Sequence, residues 1–193
     1  MKAIKNGFAP VALAAALLAS GSAAFGAELV VNGSFESPGC SNDCILNTPA
    51  QADFVTGWTT FLSGVEYINV NAAIGNSAAA DGSMSVDLAN YTYLNGGGIQ
   101  QNINTVVGAR YRLTFSAGNS TYVNRSGNGI INVKVAGQTT SFDTPVATSN
   151  ATVWETKTYD FTATTPQTTL SFWNDQNPNA HFAFIDKVSV APL

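Results

Sequence analysis

One stretch decides the fold: Tyr111-Arg112-Leu113-Thr114-Phe115-Ser116, in which apolar and polar side chains alternate without a break. Successive side chains of a strand point to opposite faces of a sheet, so this alternation is typical of a strand with one buried face. Similar alternation or short apolar runs predict further strands at 29–31, 65–70, 84–88, 99–103, 131–135, 159–162, 170–173 and 182–190.

The segments between these strands are rich in Gly, Asn, Asp and Pro, as at 95–98, 124–129 and 174–179. The abundance of Thr, Val, Tyr and Phe favours strands over helices. One stretch, 71–80, could favour a helix, but a glycine interrupts it. We therefore predict a single all-β domain, a jelly-roll β-sandwich of about 8–10 antiparallel strands.

The composition excludes several classes of function. Only 10% of the 193 residues are charged, against about 25% in an ordinary soluble chain. Eight Lys and Arg against twelve Asp and Glu cannot form a large basic patch, which excludes a nucleic-acid binder. One His and two Cys are too few for a zinc site built from those residues. Polar neutral residues replace the charges, with 20 Thr and 19 Asn.

The N-terminal segment has the order of a secretory signal peptide. Lys2 and Lys5 precede an apolar run at 8–19, and small residues follow up to Gly26. The run is shorter than the about 20 residues that span a membrane, although an N-terminal anchor helix is the alternative. We predict a signal peptide at 1–26, one mature domain at 27–193, and a secreted protein that is extracellular or associated with the cell surface.

Secretion also suggests the state of the two cysteines. Cys40 and Cys44 lie in one polar loop, and in an oxidising compartment we expect them to form a disulfide with each other. The alternative is a redox or metal pair, but three residues separate them rather than the two of thioredoxin-like sites, and no histidine is near.

Two motifs near the ends of the domain carry a resemblance to known families. Residues 29–36 read Leu-Val-Val-Asn-Gly-Ser-Phe-Glu and are followed by Gly57-Trp58, and residues 184–190 read Phe-Ile-Asp-Lys-Val-Ser-Val. With the segments between them, these motifs resemble the bacterial choice-of-anchor C extracellular proteins. They are also similar to the plant cell-wall family with paired galactose-binding-like domains and to family-four and family-nine carbohydrate-binding modules. The resemblance implies a galactose-binding-like jelly roll in an exported protein, and it implies no catalysis.

Anchored members of that bacterial family usually end in a sorting segment, whereas this chain ends at Leu193, just after the last predicted strand. We therefore expect no covalent or membrane anchor.

The terminal motifs contain two acidic residues that could share a metal ion. If the first and last strands lie side by side, Glu36 and Asp186 can meet, and two carboxylates repel each other unless a cation lies between them. The resemblance extends a structural calcium to this pair, and Asn32 and Ser34 are close enough in the sequence to add oxygen ligands. The alternative is that Glu36 caps a turn and Asp186 hydrogen-bonds a loop.

Three tryptophans are candidates for stacking on a sugar ring, which needs an exposed aromatic face. We expect Trp58 and Trp154 to pack in the core. Trp173 is out of phase with Leu170 and Phe172, so it faces outward if those two face the core.

The loop after Trp173 is rich in side chains that bind sugar hydroxyls, beginning with Asn174 and Asp175. We predict a glycan site there, with the alternative that Trp173 packs under the loop. Weaker candidates in other turn-rich stretches are Asn119, Arg125, Tyr91, Tyr93 and Tyr122.

These observations favour a secreted, non-catalytic protein that binds cell-wall or matrix polysaccharide. His181 is the single histidine, and no Gly-x-Ser-x-Gly motif offers a nucleophile. The alternative is a structural matrix or surface protein that binds itself or other proteins, and a glycoside hydrolase is the third hypothesis, since that mechanism needs only two carboxylates.

Overall fold

The computed structural model describes residues 28–72, 74, 78–90 and 96–193. The predicted signal peptide, Tyr91 and Tyr93 lie outside the described residues. Within these ranges the chain forms two 3-10 turns, Pro49–Gln51 and Tyr122–Asn124. It also forms eleven strands, which are β1 Asp43–Leu46, β2 Thr59–Leu62, β3 Val65–Asn69, β4 Met84–Asp87, β5 Gly97–Asn104, β6 Arg110–Asn119, β7 Ile130–Val135, β8 Gln138–Asp143, β9 Val153–Thr162, β10 Gln167–Trp173 and β11 Phe184–Pro192.

The strands form two antiparallel sheets. A six-stranded sheet has the order β1-β3-β4-β11-β6-β9, and a five-stranded sheet has the order β2-β5-β10-β7-β8. This arrangement confirms the predicted all-β jelly-roll sandwich, with slightly more strands than expected. No helix among the described residues is long and apolar enough to cross a membrane.

The main core lies between the sheets and is built by the alternation seen in the sequence. Leu113 and Phe115 of β6 are fully buried, as are Leu170 and Phe172 of β10. The Phe115 and Phe172 rings meet edge to face with centroids 5.2 Å apart, and Trp58 packs 6.2 Å from Phe172. Trp58 is therefore a core residue, as predicted.

The predicted first strand, 29–31, is wrong. Val31 pairs with a side chain instead of a strand: its N–H donates to Gln101 Oε1 at 2.7 Å, and its carbonyl oxygen accepts from Gln101 Nε2 at 2.8 Å. One amide group thus satisfies both backbone groups that a neighbouring strand would use. Three short or polar strands, β1, β2 and β8, were not predicted, because they lack a buried apolar face that alternation could reveal.

The disulfide between Cys40 and Cys44 is present, with Cα atoms 6.3 Å apart. This confirms the predicted pairing. It closes the loop that leads into β1, at one edge of the six-stranded sheet.

The outer face of the six-stranded sheet is not an ordinary solvent face. A second apolar cluster lies there, formed by Ile68, Ala72, Phe182 and Phe184. Ala72, Ile74 and the segment 122–125 contribute to this face together with residues before β11, so loops cover part of it. The side chains that face outward from β3 and β4 are consequently buried, and the candidate site described below lies among them.

Candidate ligand-binding site

The loop after β10, where the sequence predicts a sugar site, is closed by its own amide groups. Asn174 is fully buried. Its Nδ2 donates to the carbonyl oxygen of Ile130 at 2.7 Å, and its Oδ1 accepts from the N–H of Gln176 at 3.1 Å. Asn174 is therefore not the exposed sugar ligand that we predicted. Trp173 is half-buried and Asp175 exposed, and their contact with a glycan stays a prediction.

Asn119 is also buried rather than ligand-facing. Its Nδ2 donates to the carbonyl oxygens of Gly127 at 3.0 Å and Pro145 at 2.9 Å. The prediction of a sugar contact is corrected for this reason: the amide group is already used within the fold. Its role is to hold the loop on which Arg125 lies.

The two carboxylates predicted to share a metal ion are held by the same turn, residues 81–84. Glu36 Oε1 accepts from the N–H groups of Ser83 and Met84, each at 2.8 Å. Asp186 is fully buried and accepts from the N–H groups of Asp81 at 2.8 Å and Lys187 at 2.6 Å. Burial raises the pKa of Asp186 to about 7 despite these donors.

The other two predicted calcium ligands, Asn32 and Ser34, lie a few residues before Glu36 in the chain. The Asn32 amide oxygen accepts from the N–H of Ser37 at 3.1 Å, while Ser34 is half-buried. In the part of the chain that is described, no group of three His, Cys, Asp or Glu side chains could hold a metal ion. Glu28 also joins the first described segment to the last strand, since its Oε1 accepts from the N–H of Val190 at 2.8 Å. Calcium binding stays a prediction.

A cavity of about 490 Å³ lies against the outer face of the six-stranded sheet. This volume is in the range of small-molecule sites. Its described lining comes from β1, β3, residue 74 and the segments 122–125 and 179–182. It consists of Asp43, Glu66, Ile74, Tyr122, Val123, Arg125, Asn179 and Phe182. Of the predicted site residues that the structure describes, Tyr122 and Arg125 lie in this cavity.

Arg125 is buried between an acid and an aromatic ring. Its Nη1 lies 3.6 Å from Asp87 Oδ2, and its guanidinium carbon lies 3.8 Å from the centroid of the Phe182 ring. The other oxygen of Asp87 accepts from the N–H groups of Ala89 and Ala183, at 2.9 and 3.2 Å. Arg125 and Asp87 therefore form a buried ion pair, and a cation–π contact orients the guanidinium plane.

Glu66 lies beside this pair. It is directly opposite Asp87 in the register of β3 and β4, and it is fully buried. Neither carboxylate oxygen accepts a hydrogen bond from any described residue. Burial above all raises the pKa of Glu66 to about 8, the carboxylates of Asp87 and Asp43 raise it further, and Arg125 opposes them. Burial likewise raises the pKa of Asp87.

The rim of the cavity includes a residue with unusual backbone geometry. Val123 has a φ of +52° and its side chain is 60% exposed. A β-branched residue is rare in this left-handed region, and such strain is often found at ligand sites. Tyr122 precedes it, and the exposed Asn179 and Asp43 also line the opening.

Sequence reasoning missed Glu66 and Asp87. The available signal was the segment Val65-Glu66-Tyr67-Ile68, where an acid occupies the same face as an apolar residue two positions later. An acid on an apolar face indicates a buried charge with a function or a partner.

Trp154 lies on the same outer face and not in the main core, which corrects its predicted place. It pairs with Gly118 across β9 and β6. A Cβ at Gly118 would come within 2.6 Å of the indole, so the glycine leaves room for the ring to lie over β6. The indole N–H donates to the carbonyl oxygen of Ala78 at 2.8 Å. Trp154 lines a shallower groove of about 590 Å³ next to the cluster.

Three solved structures share this fold. One is described as "CBM4 structure and function". It is 18% identical in sequence with a TM-score of 0.50, over 85% of this chain and 99% of that chain. The K2 cleaved adhesin domain of Lys-gingipain is 18% identical with a TM-score of 0.52, over 82% and 96%. The enzymatically active domain of bacteriophage CBA120 tailspike protein 4 is 12% identical with a TM-score of 0.52, over 86% of this chain but 21% of that one.

The sequence comparisons add one match. A family model with the description "Protein of unknown function (DUF642)" matches residues 28–191. None of the curated proteins compared with the chain matches it. At these identities the structural similarities show the fold alone, which is consistent with the galactose-binding-like architecture that the terminal motifs imply.

Proposed function

The chain belongs to the DUF642 family, and from this premise we propose that it is a carbohydrate-binding domain similar to carbohydrate-binding modules, with the cavity beside Arg125 as its sugar site. The fold that it shares with the CBM4 structure supports this class of function.

The cavity combines the two kinds of group that sugar recognition needs. A pyranose has apolar C–H faces that pack on aromatic rings, and hydroxyl groups that need fixed donors and acceptors. Tyr122 supplies a ring at the opening, and Arg125 supplies N–H donors from a guanidinium held by Phe182. Glu66 and Asn179 supply acceptors, and those of Glu66 are unused by any described residue. This unused buried carboxylate beside an oriented guanidinium is the observation that carries the proposal.

A glycan array followed by calorimetry on the best ligands tests the site. Tyr122→Ala and Asn179→Ala should each weaken binding at least about tenfold, since each removes one contact worth about 1.4 kcal/mol. Val146→Ala is the matched control, because that apolar side chain is 70% exposed and lies away from the cavity lining. Trp173→Ala distinguishes the two predicted sites and should leave the affinity unchanged.

Two results would overturn this assignment. Binding that is lost in Trp173→Ala and kept in Tyr122→Ala would move the site to the loop after β10. An array without any glycan bound would remove the carbohydrate function, and self-association measured by sedimentation would then test the matrix-protein alternative.

We also propose that the domain is exported and acts without catalysis. The N-terminal order of basic, apolar and small residues supports export, and the expected first residue of the mature protein, read by mass spectrometry, is Ala27. The relation to the choice-of-anchor C proteins rests on the terminal motifs alone. Any turnover of a glycan by the purified protein would contradict the non-catalytic role.

A further inference from the structure

The charges around the cavity are unbalanced. Arg125 is the one cation among the described lining residues, and it lies 3.6 Å from the buried carboxylate of Asp87. Glu66 therefore has no cation of its own, and Asp43 adds a second acid at the rim. A ligand that enters this cavity meets two carboxyl groups, Glu66 and Asp43, that have no cation of their own among the described lining residues.

The burial of Glu66 costs folding free energy unless a ligand gives its carboxyl group a partner. A fully buried carboxyl group without a hydrogen-bond partner loses its hydration and gains nothing in return. The raised pKa of Glu66 is the expected response of such a group to burial. A ligand that brings both a positive charge and N–H donors satisfies the carboxylate best, because charge-assisted hydrogen bonds are the strong ones.

The surroundings favour an organic cation over a metal ion. No group of three acidic, histidine or cysteine side chains suited to a metal exists among the described residues. The walls beside Glu66 include Ile74, Tyr122 and Phe182, which are apolar or aromatic. An ammonium group on a sugar ring matches this environment, because aromatic and apolar surfaces receive the ring while the carboxylate receives the charge.

We propose that the cavity selects glycans with a free amino group, such as 2-amino-2-deoxyhexose residues, through an ion pair between that ammonium and Glu66. The inference rests on the proposed carbohydrate function and adds the charge of the ligand. It excludes uronic acids, because their carboxylate would face Glu66 and Asp43. Near pH 7, binding displaces a proton from Glu66 to the buffer as the ion pair forms.

The test compares sugars that differ only at carbon 2. Methyl glycosides and β-1,4-linked hexasaccharides of glucose, N-acetylglucosamine and glucosamine are titrated at pH 7 and 150 mM salt. The galactose-configured methyl glycosides are titrated beside them. The amino sugar should bind at least tenfold more tightly than its hydroxyl and acetamido counterparts. Glu66→Gln should abolish that preference, so that the amino sugar binds no more tightly than its hydroxyl and acetamido counterparts.

Asp143→Asn is the control for general attraction of a cation to an acidic protein. Asp143 is exposed on β8 in the other sheet, and the variant removes the same unit of charge. It should keep the full preference. Calorimetry at pH 7 in two buffers of different ionisation enthalpy should show proton release on binding in the wild type and none in Glu66→Gln.

Equal affinity for the three sugars, or a preference that survives in Glu66→Gln, would overturn the inference. If neutral sugars bind and Tyr122→Ala abolishes that binding, the carbohydrate function stands and the amino-sugar selectivity fails alone. If the amino-sugar preference falls equally in Asp143→Asn and Glu66→Gln, the attraction is non-specific and the ion pair is refuted.

Discussion

Replacing Glu66 by Gln should make the protein more stable at neutral and alkaline pH. The substitution keeps the size of the side chain and removes a charge that is buried without a described partner. In the folded protein the pKa of Glu66 is about 8, against an ordinary value of 4.5. The folded state therefore holds a proton between these two values that the unfolded chain has already released.

The sign and size of the effect follow from proton linkage. Stability falls as pH rises from about 4.5 to about 8, because the folded state binds more protons than the unfolded state there. Each unit of pKa difference is worth about 1.4 kcal/mol, so the full range amounts to about 5 kcal/mol. Above pH 8 the penalty is constant, and below pH 4.5 it vanishes.

Urea unfolding at several pH values between 4 and 9 measures the difference between the two proteins. At pH 4 the wild type and Glu66→Gln should agree within about 1 kcal/mol, since both side chains are then neutral and equally buried. At pH 9 the variant should be more stable by several kcal/mol. The raised pKa values of Asp87 and Asp186 give slopes of the same sign, and these are present in both proteins.

The stability of Asp143→Asn should follow that of the wild type at every pH, because the carboxyl group of Asp143 is exposed. Parallel curves for Glu66→Gln and the wild type would refute the reasoning. They would mean that Glu66 is ionised in the folded protein as easily as in the unfolded chain. The claim that its carboxyl group is buried without a partner would then fail.

Arg125→Met should lower the free energy of unfolding in urea by about 3–5 kcal/mol, because it leaves Asp87 buried without its cation. Arg112→Met is the control and should lower it by at most about 1 kcal/mol, because it breaks an exposed pair. Equal losses would contradict the buried ion pair. Gln101→Ala should lower the free energy of unfolding by about 1–3 kcal/mol, since the N–H and carbonyl groups of Val31 lose their partner. Gln100→Ala should be nearly neutral. Protection of the Val31 amide from hydrogen exchange should fall in the first variant only. A chelator should lower the melting temperature of the calcium-loaded protein, because the predicted ion would join Glu36 to Asp186. An unchanged melting temperature would refute the predicted metal site.

The fold could be predicted from the sequence because its evidence is local. Alternation along 111–116 and the other apolar runs identified most of the long strands, and burial of Leu113 and Phe115 follows from it. Segment 29–31 failed because a side chain 70 residues away, Gln101, takes the place of a neighbouring strand. Alternation shows on which face of the sheet a residue lies. It does not show which distant side chain or segment packs against that face.

The candidate site was mostly beyond such reasoning. Arg125 was named, but its partners Asp87 and Phe182 are far away in the sequence and meet it only through the sheet order and the covering loops. Glu66 faces outward from β3, where a strand pattern predicts solvent, and distant segments bury it. Asn174 and Asn119 were named for their chemistry, but the fold uses that chemistry to fix its own loops.

β9 is the outermost strand of the six-stranded sheet and is ten residues long. Such an edge can pair with another copy of the chain through its free backbone groups. In a chain with so few charges, Glu155, Lys157 and Asp160 all lie on this strand. Charged side chains on an edge strand oppose such pairing, so conditions that neutralise the two acids should make concentrated protein associate edge to edge.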